Sequence, residues 1–204
     1  PEQYSQWAGP GDADYKAAGY TAWDFDTASD IKAAGFSIDE SLGPTPSSEF
    51  IVDVLKAFDG QEILESAVYP HGVLGELTEL IEEGYVTVQD CVDVTQDSSS
   101  EHYGTTLSSM GLNVEQVQGA NIEGLTLKGA GFSWDEVPLA DVAASGFSVD
   151  DIGSEAMDQV AACGFSIEDF MGSTDPSLGN IKRAGFEPEQ YSQWAGPGDA
   201  DYKA

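Results

Sequence analysis

Lys32-Ala-Ala-Gly-Phe-Ser-Ile-Asp-Glu40 holds the end of one helix and the start of the next within nine residues. Lys32-Ala-Ala is helix-forming. Gly35 then suits the left-handed residue that closes a helix, because it has no Cβ to clash there. Ser37 with Glu40 three residues later is a capping box: the hydroxyl serves the N3 amide and the carboxylate reaches back to the cap N–H. An aromatic before the cap can staple to the residue at N4. Read this way, the stretch decides the fold class: short helices joined by tight turns.

The same grammar recurs. Gly-aromatic pairs stand at Gly19-Tyr20, Gly84-Tyr85, Gly131-Phe132, Gly146-Phe147, Gly164-Phe165 and Gly185-Phe186, with Gly111-Leu112 a weaker member. Box sequences follow at Ser133–Glu136, Ser148–Asp151 and Ser166–Asp169, and looser ones at Thr21–Asp24, Asn113–Gln116 and Glu187–Gln190; Thr87–Asp90 comes one residue late. Staples are expected from Phe132 to Val137, Phe147 to Ile152, Phe165 to Phe170 and Phe186 to Tyr191. Ser41 breaks the staple after Phe36, which predicts looser packing there. All seven basic residues lie within four residues before such a glycine, counting a degenerate unit at Gly60 and, for Lys203, the Gly19 of a following copy. The acids gather after the caps. Both placements complement the helix dipole.

Helices this short are marginal alone and must lean on neighbours. The expected fold is all-α, an irregular solenoid or superhelix of short helices. Glu49–Phe58 and Val73–Glu83 read as the longer amphipathic helices, Pro138–Ser145 as a helix with proline in its first turn, and Asp175-Pro176 as another start. Tyr85–Val94 leaves open an α+β alternative with a small strand pair near 85–94. Ala120–Gly124 has the look of one pentapeptide-repeat turn.

The A-G-F-S element followed by acids, at Lys32–Glu40, Lys128–Glu136, Ala144–Asp151 and Ala162–Asp169, resembles the short A-G-F-S-type tandem repeats of large proteins of algae, protists and their viruses. The irregular spacing here departs from the even decamers of that group. The resemblance implies a repetitive, non-enzymatic protein and carries no active site with it.

A second, longer repeat encloses the first. Pro1–Ala17 and Pro188–Ala204 both read PEQYSQWAGPGDADYKA. Lys203-Ala204 followed by Ala18-Gly19-Tyr20 would give K-A-A-G-Y, close to K-A-A-G-F at Lys32–Phe36. Residues 1–187 therefore read as one full period of a tandem array, and 188–204 as the start of the next identical period. Aromatics crowd the junction: Tyr191, Trp194 and Tyr202, with Tyr4, Trp7, Tyr15, Tyr20 and Trp23 of the copy.

The chain has 37 acidic residues, 7 basic residues and a formal charge of −30. Setting aside the second 17-mer, with its three acids and one base, leaves 34 against 6 per period. Such a surface repels phosphate backbones and anionic membranes, which argues against nucleic acid as a partner. No apolar run approaches the length of a membrane span. Cys91 and Cys163 sit in no C-x-x-C, and His71 and His102 are the only histidines, so zinc or iron–sulfur ligation lacks its ligands. Cys163 matches Ala184 in register and reads as a small buried residue; a Cys91–Cys163 bridge stays open. Both histidines read as surface groups. No phosphate loop, nucleophile elbow or metalloprotease helix occurs, so the chain is expected not to be an enzyme and to need no cofactor. Ca²⁺ is the one cation the acids suggest, at Asp12 and Asp14 in a Gly-Pro turn and at Asp24, Asp26 and Asp30, although neither group follows the EF-hand pattern.

The functional expectation is a structural protein: the shaft of a filament, fibre or cell-surface or flagellar appendage, with itself as partner and an address outside the cell or on its surface. The alternative is an acidic, Ca²⁺-dependent adhesin or partner-binding scaffold.

Overall fold

Helix starts and stops follow the local rules closely in the computed structural model, which describes residues 15–42, 46–66, 76–174 and 176–191. Eight capping boxes form, at Thr21/Asp24, Ser37/Glu40, Asp59/Glu62, Thr87/Asp90, Asn113/Gln116, Ser133/Glu136, Ser148/Asp151 and Ser166/Asp169. In each the cap N–H donates to the N3 side chain over 2.7–2.9 Å. That answers backbone amides that a helix start otherwise leaves unpaired. Asp59/Glu62 was not in the expected set. Gly60 is the first residue of the helix that box begins, not a closing glycine; Phe58 before Asp59 holds the place of the motif aromatic.

Several stops share one geometry. The Gly35 amide donates to the Lys32 carbonyl at 2.9 Å, and the Phe36 amide to the Ile31 carbonyl at 3.2 Å. This is the Schellman pair of bonds, with Gly35 at φ 81°. Gly84-Tyr85, Gly111-Leu112 and Gly131-Phe132 repeat the pair.

All described secondary structure is helical, and no strand occurs among the described residues. The chain divides into two compact units, Pro1–Leu112 and Asn113–Ala204. In the first, a 3₁₀ turn at Ala22–Asp24 precedes helices Ala28–Ala33, Ile38–Ser41, Ser48–Ala57, Gly60–Leu64, Leu77–Glu82 and Val88–Gln96. Ala28–Ala33 packs on Ser48–Ala57, and Gly60–Leu64 on Val88–Gln96. In the second, helices Val114–Ala120, Val149–Ile152, Ile167–Met171, Leu178–Arg183 and Pro188–Tyr191 alternate with 3₁₀ turns at Trp134–Glu136, Leu139–Asp141, Ala143–Ser145 and Ser154–Gln159.

Several expectations are corrected. Tyr85–Val94 is not a strand pair: Thr87 caps a helix that runs from Val88 to Gln96. Its apolar residues Val88, Cys91, Val92 and Val94 are buried, and the Thr87/Asp90 box decides for helix over the β-propensity of valine. Pro138–Ser145 is two 3₁₀ turns, with Pro138 outside the first. Leu178–Arg183 begins after a Ser177 cap, whose hydroxyl accepts from Asn180 N. Ser41 is buried and donates to the Ser37 carbonyl at 2.7 Å, so it closes its turn rather than loosening it. Ala120–Gly124 is a helix end with Asn121 at φ 49°, followed by turns. Of Val73–Glu83, the described part is helical over Leu77–Glu82.

The core repeats with the motif. Four residues before the motif glycine stand Ile31, Leu80, Leu107, Leu127, Val142, Val160 and Ile181, all buried. At the staple position, four residues after the cap, stand Ile63, Cys91, Val117, Val137, Ile152 and Phe170, also buried. Each short segment thus buries a few side chains, at roughly 1.5–3 kcal/mol for each fully buried Val, Leu, Ile or Phe. Cys91, at a staple position, and Cys163, one residue before Gly164, are both free and buried, and Cys163 matches the buried Ala184 as expected. Burial, reinforced by Asp90, pushes the Cys91 thiol up to about 12, which keeps it protonated and unreactive.

Candidate functional site

Three lysines repeat one gesture. Each stands three residues before a motif glycine and reaches the N3 acid of a later capping box. Lys16 Nζ meets Glu40 at 2.7 Å, 24 residues on. Lys32 meets Glu62, 30 residues on, with Asp59 at 3.6 Å. Lys128 meets both oxygens of Asp151 at 2.7 and 2.9 Å, 23 residues on. Lys16 also lies over the Phe36 ring at 5.1 Å, and Lys32 over Phe58 at 5.3 Å. In these two ties the cation lies over the aromatic that precedes the partner cap and ends on the acid of that capping box.

The acids therefore serve two segments at once. Asp151 accepts from Ser148 N and Ser148 Oγ, both at 2.7 Å, as well as from Lys128. Lys128, with the Ser148 amide, holds its carboxyl at about 2, below the ordinary 3.8. Glu40 is lowered in the same way by Lys16 and the Ser37 amide. A folded-state pKa below the unfolded one adds stability above the unfolded value, and that stability is lost as pH falls through the folded one. Asp151→Asn is therefore expected to cost about 1 kcal/mol at pH 7, after discounting for the solvent that reaches Lys128. The gap between the variant and the parent in urea unfolding should close as pH drops from 3.8 towards about 2.

A second tie runs through the backbone of the second unit. Lys128 N donates to Ser145 O at 3.2 Å, Ala143 N to Cys163 O at 3.0 Å and Ala161 N to Ala184 O at 2.9 Å. In each pair the donor stands three residues before one motif glycine and the acceptor one residue before the next. The glycines make this approach possible. A Cβ on Gly164 would lie 3.1 Å from the Ala140 carbonyl oxygen, and one on Gly185 3.3 Å from that of Asp158. Lysine tie, backbone tie and close glycine share one register. Sequence reasoning found the lysines and the acids but assigned both to helix dipoles, since their pairing spans more than twenty residues.

The expected junction residues fall partly inside the described region. Tyr15 meets Tyr20 edge-on at 5.8 Å and Phe25 at 5.3 Å, and Phe25 continues to Phe36 at 5.6 Å. This aromatic run joins the buried cluster of Ala22, Ile31 and Phe36. Trp23 is 65% exposed. Tyr4, Trp7, Trp194 and Tyr202 lie outside the described residues, as does the side chain of Tyr191.

Of the Ca²⁺ candidates, Asp12 and Asp14 lie outside the described residues. The Asp24 carboxylate is taken by Thr21 N and Oγ1, and that of Asp30 by Thr27 Oγ1, while Asp26 is exposed. Among the described residues no group of three or more His, Cys, Asp or Glu is placed to hold a metal ion. His102 is half-buried, with Nε2 2.9 Å from the Leu64 carbonyl, and is not the free surface group expected; His71 lies outside the described residues. A cleft of about 450 Å³ in the first unit is lined by Gln61, Glu65, Asp93 and Asp97, and one of about 330 Å³ in the second by Gln118, Asn121, Thr126 and Asp141. Neither is lined by a histidine or a cysteine. No helix among the described residues is long and apolar enough to cross a membrane.

No protein-family model, curated protein or solved structure matches this chain.

Proposed function

We propose that this chain is a structural tandem-repeat protein whose 187-residue periods follow one another to form the shaft of a filament, fibre or surface appendage. The observation that carries the reading is the identity of Pro1–Ala17 with Pro188–Ala204. Identical units make equivalent contacts, and equivalent contacts that do not close on themselves extend into fibres. The recurring ties support a finer reading, in which the short helices stack as an irregular solenoid, each buried by its neighbours. A solenoid grows by adding units to an end, which suits an element whose task is length.

The proposed role is non-catalytic, and the proposed address is the cell surface or the medium. The support is compositional: 37 acids against 7 bases keep such shafts soluble and hold parallel copies apart.

Negative-stain electron microscopy of the native protein tests the reading. The expected images show rods whose length rises in fixed steps with the number of periods in the chain. Dispersed compact particles of constant diameter would overturn it.

A further inference from the structure

The lysine register has a fourth member. Lys182 stands three residues before Gly185, as Lys16, Lys32 and Lys128 stand before Gly19, Gly35 and Gly131. Unlike those three, Lys182 is within 4 Å of no carboxylate among the described residues, and it is exposed. The partner its register calls for lies beyond the box that follows its own glycine, since the three observed ties pass over Thr21/Asp24, Ser37/Glu40 and Ser133/Glu136 and reach a later acid-bearing box with an aromatic before its cap. Within residues 1–187 the following box, Glu187/Gln190, carries an amide at N3.

Asp24 is the matching vacancy. It is the N3 acid of the Thr21 box, and Tyr20 precedes that cap as Phe36 precedes Ser37. The Thr21 amide and hydroxyl hold the carboxylate ionised and in place, and among the described residues no lysine or arginine reaches it. With a period of 187 residues, Asp24 of a following copy lies 29 residues after Lys182. The three observed ties span 23, 24 and 30 residues.

We propose that successive periods are joined by a salt bridge from Lys182 of one period to Asp24 of the next, with the lysine chain laid across Tyr20. This rests on the reading of the chain as a tandem array and names the contact that would carry its stacking across the seam. It gives the joint the chemistry of the ties inside each period, so one period would meet the next as one segment meets another.

The test is carbodiimide cross-linking of a chain of two complete periods, which couples an amine directly to a carboxylate in contact with it, followed by peptide mass spectrometry. Lys16–Glu40, Lys32–Glu62 and Lys128–Asp151 cross-links are expected from each period as internal standards. A Lys182–Asp24 cross-link is expected beside them. It should vanish with Asp24→Asn in the second period alone and persist with Asp24→Asn in the first alone. The proposal is overturned if the standards form while Lys182 couples to no acid or to a different one. It is equally overturned if the cross-link ignores the second-period variant, which would place the contact within one period or between separate chains. Absence of the standards overturns the register itself. The array reading fails separately, if the intact mass of the native protein corresponds to a single period.

Discussion

Phe170→Ala is expected to cost about 3–5 kcal/mol, the usual loss when a wholly buried aromatic is cut back to a methyl. Phe170 is fully buried. It occupies the staple position of the Ser166/Asp169 box, and its ring stands 5.7 Å from Phe186, the aromatic that follows the next motif glycine. Its removal therefore empties space between two consecutive segments. Among the described residues no single helix exceeds ten residues, so none of these segments has spare stability of its own. A domain is typically stable by only 5–15 kcal/mol, so this one change would take a large share of it. The check is urea unfolding followed by circular dichroism, with amide exchange read over residues 161–186. Phe170→Leu, which keeps most of the volume, should cost under about 1.5 kcal/mol. Equal losses for both variants would mean that ring packing is not what holds these segments together.

The second large effect is expected at Gly164. Its φ is +83°, a conformation that L side chains rarely adopt, and the space beside it is taken: a Cβ would sit 3.1 Å from the Ala140 carbonyl oxygen. Gly164→Val combines both penalties. A β-branched residue is poorly accommodated at positive φ, and the added methyls press on the backbone of the preceding segment. A loss of about 3 kcal/mol or more is expected, with weakening of the neighbouring Ala143–Cys163 bond, 3.0 Å long in the parent. Gly35 separates the two causes. Its φ is +81°, but nothing lies within 4 Å of the position a Cβ would take. Gly35→Ala should therefore cost only the conformational part, about 1–2 kcal/mol. Equal penalties for Gly164→Ala and Gly35→Ala in thermal melts would show that segment-to-segment closeness contributes nothing at Gly164.

These two glycines also mark how far local rules reach. In sequence they are the same residue of the same motif, A-G-F-S and C-G-F-S. Both take the left-handed turn that the motif demands. Only the fold brings another backbone against Gly164 and leaves the space beside Gly35 open. Lys32 and Lys182 form a similar pair. Each stands three residues before its glycine, yet one meets Glu62 and the other meets no carboxylate among the described residues.

The amino-acid sequence by itself determined where most helices begin and end. Caps, boxes and glycine turns satisfy backbone groups with partners three to five residues away, so their whole energetics lies inside a short window. For the same reason a fold of short helices and the buried staple residues Val137, Ile152 and Phe170 were legible from the motif alone, while the buried row four residues before each glycine was not read from it. Tertiary structure decided what no short window contains: which acid each lysine reaches, which glycine is pressed against a carbonyl, and why Leu139–Asp141 and Ala143–Ser145 wind as 3₁₀ turns. At that last site Ala143 N is drawn to Cys163 O, twenty residues away, instead of to a carbonyl of its own turn. Contacts of this kind depend on the path of the chain between the partners, and that path is set by the summed packing of all the segments.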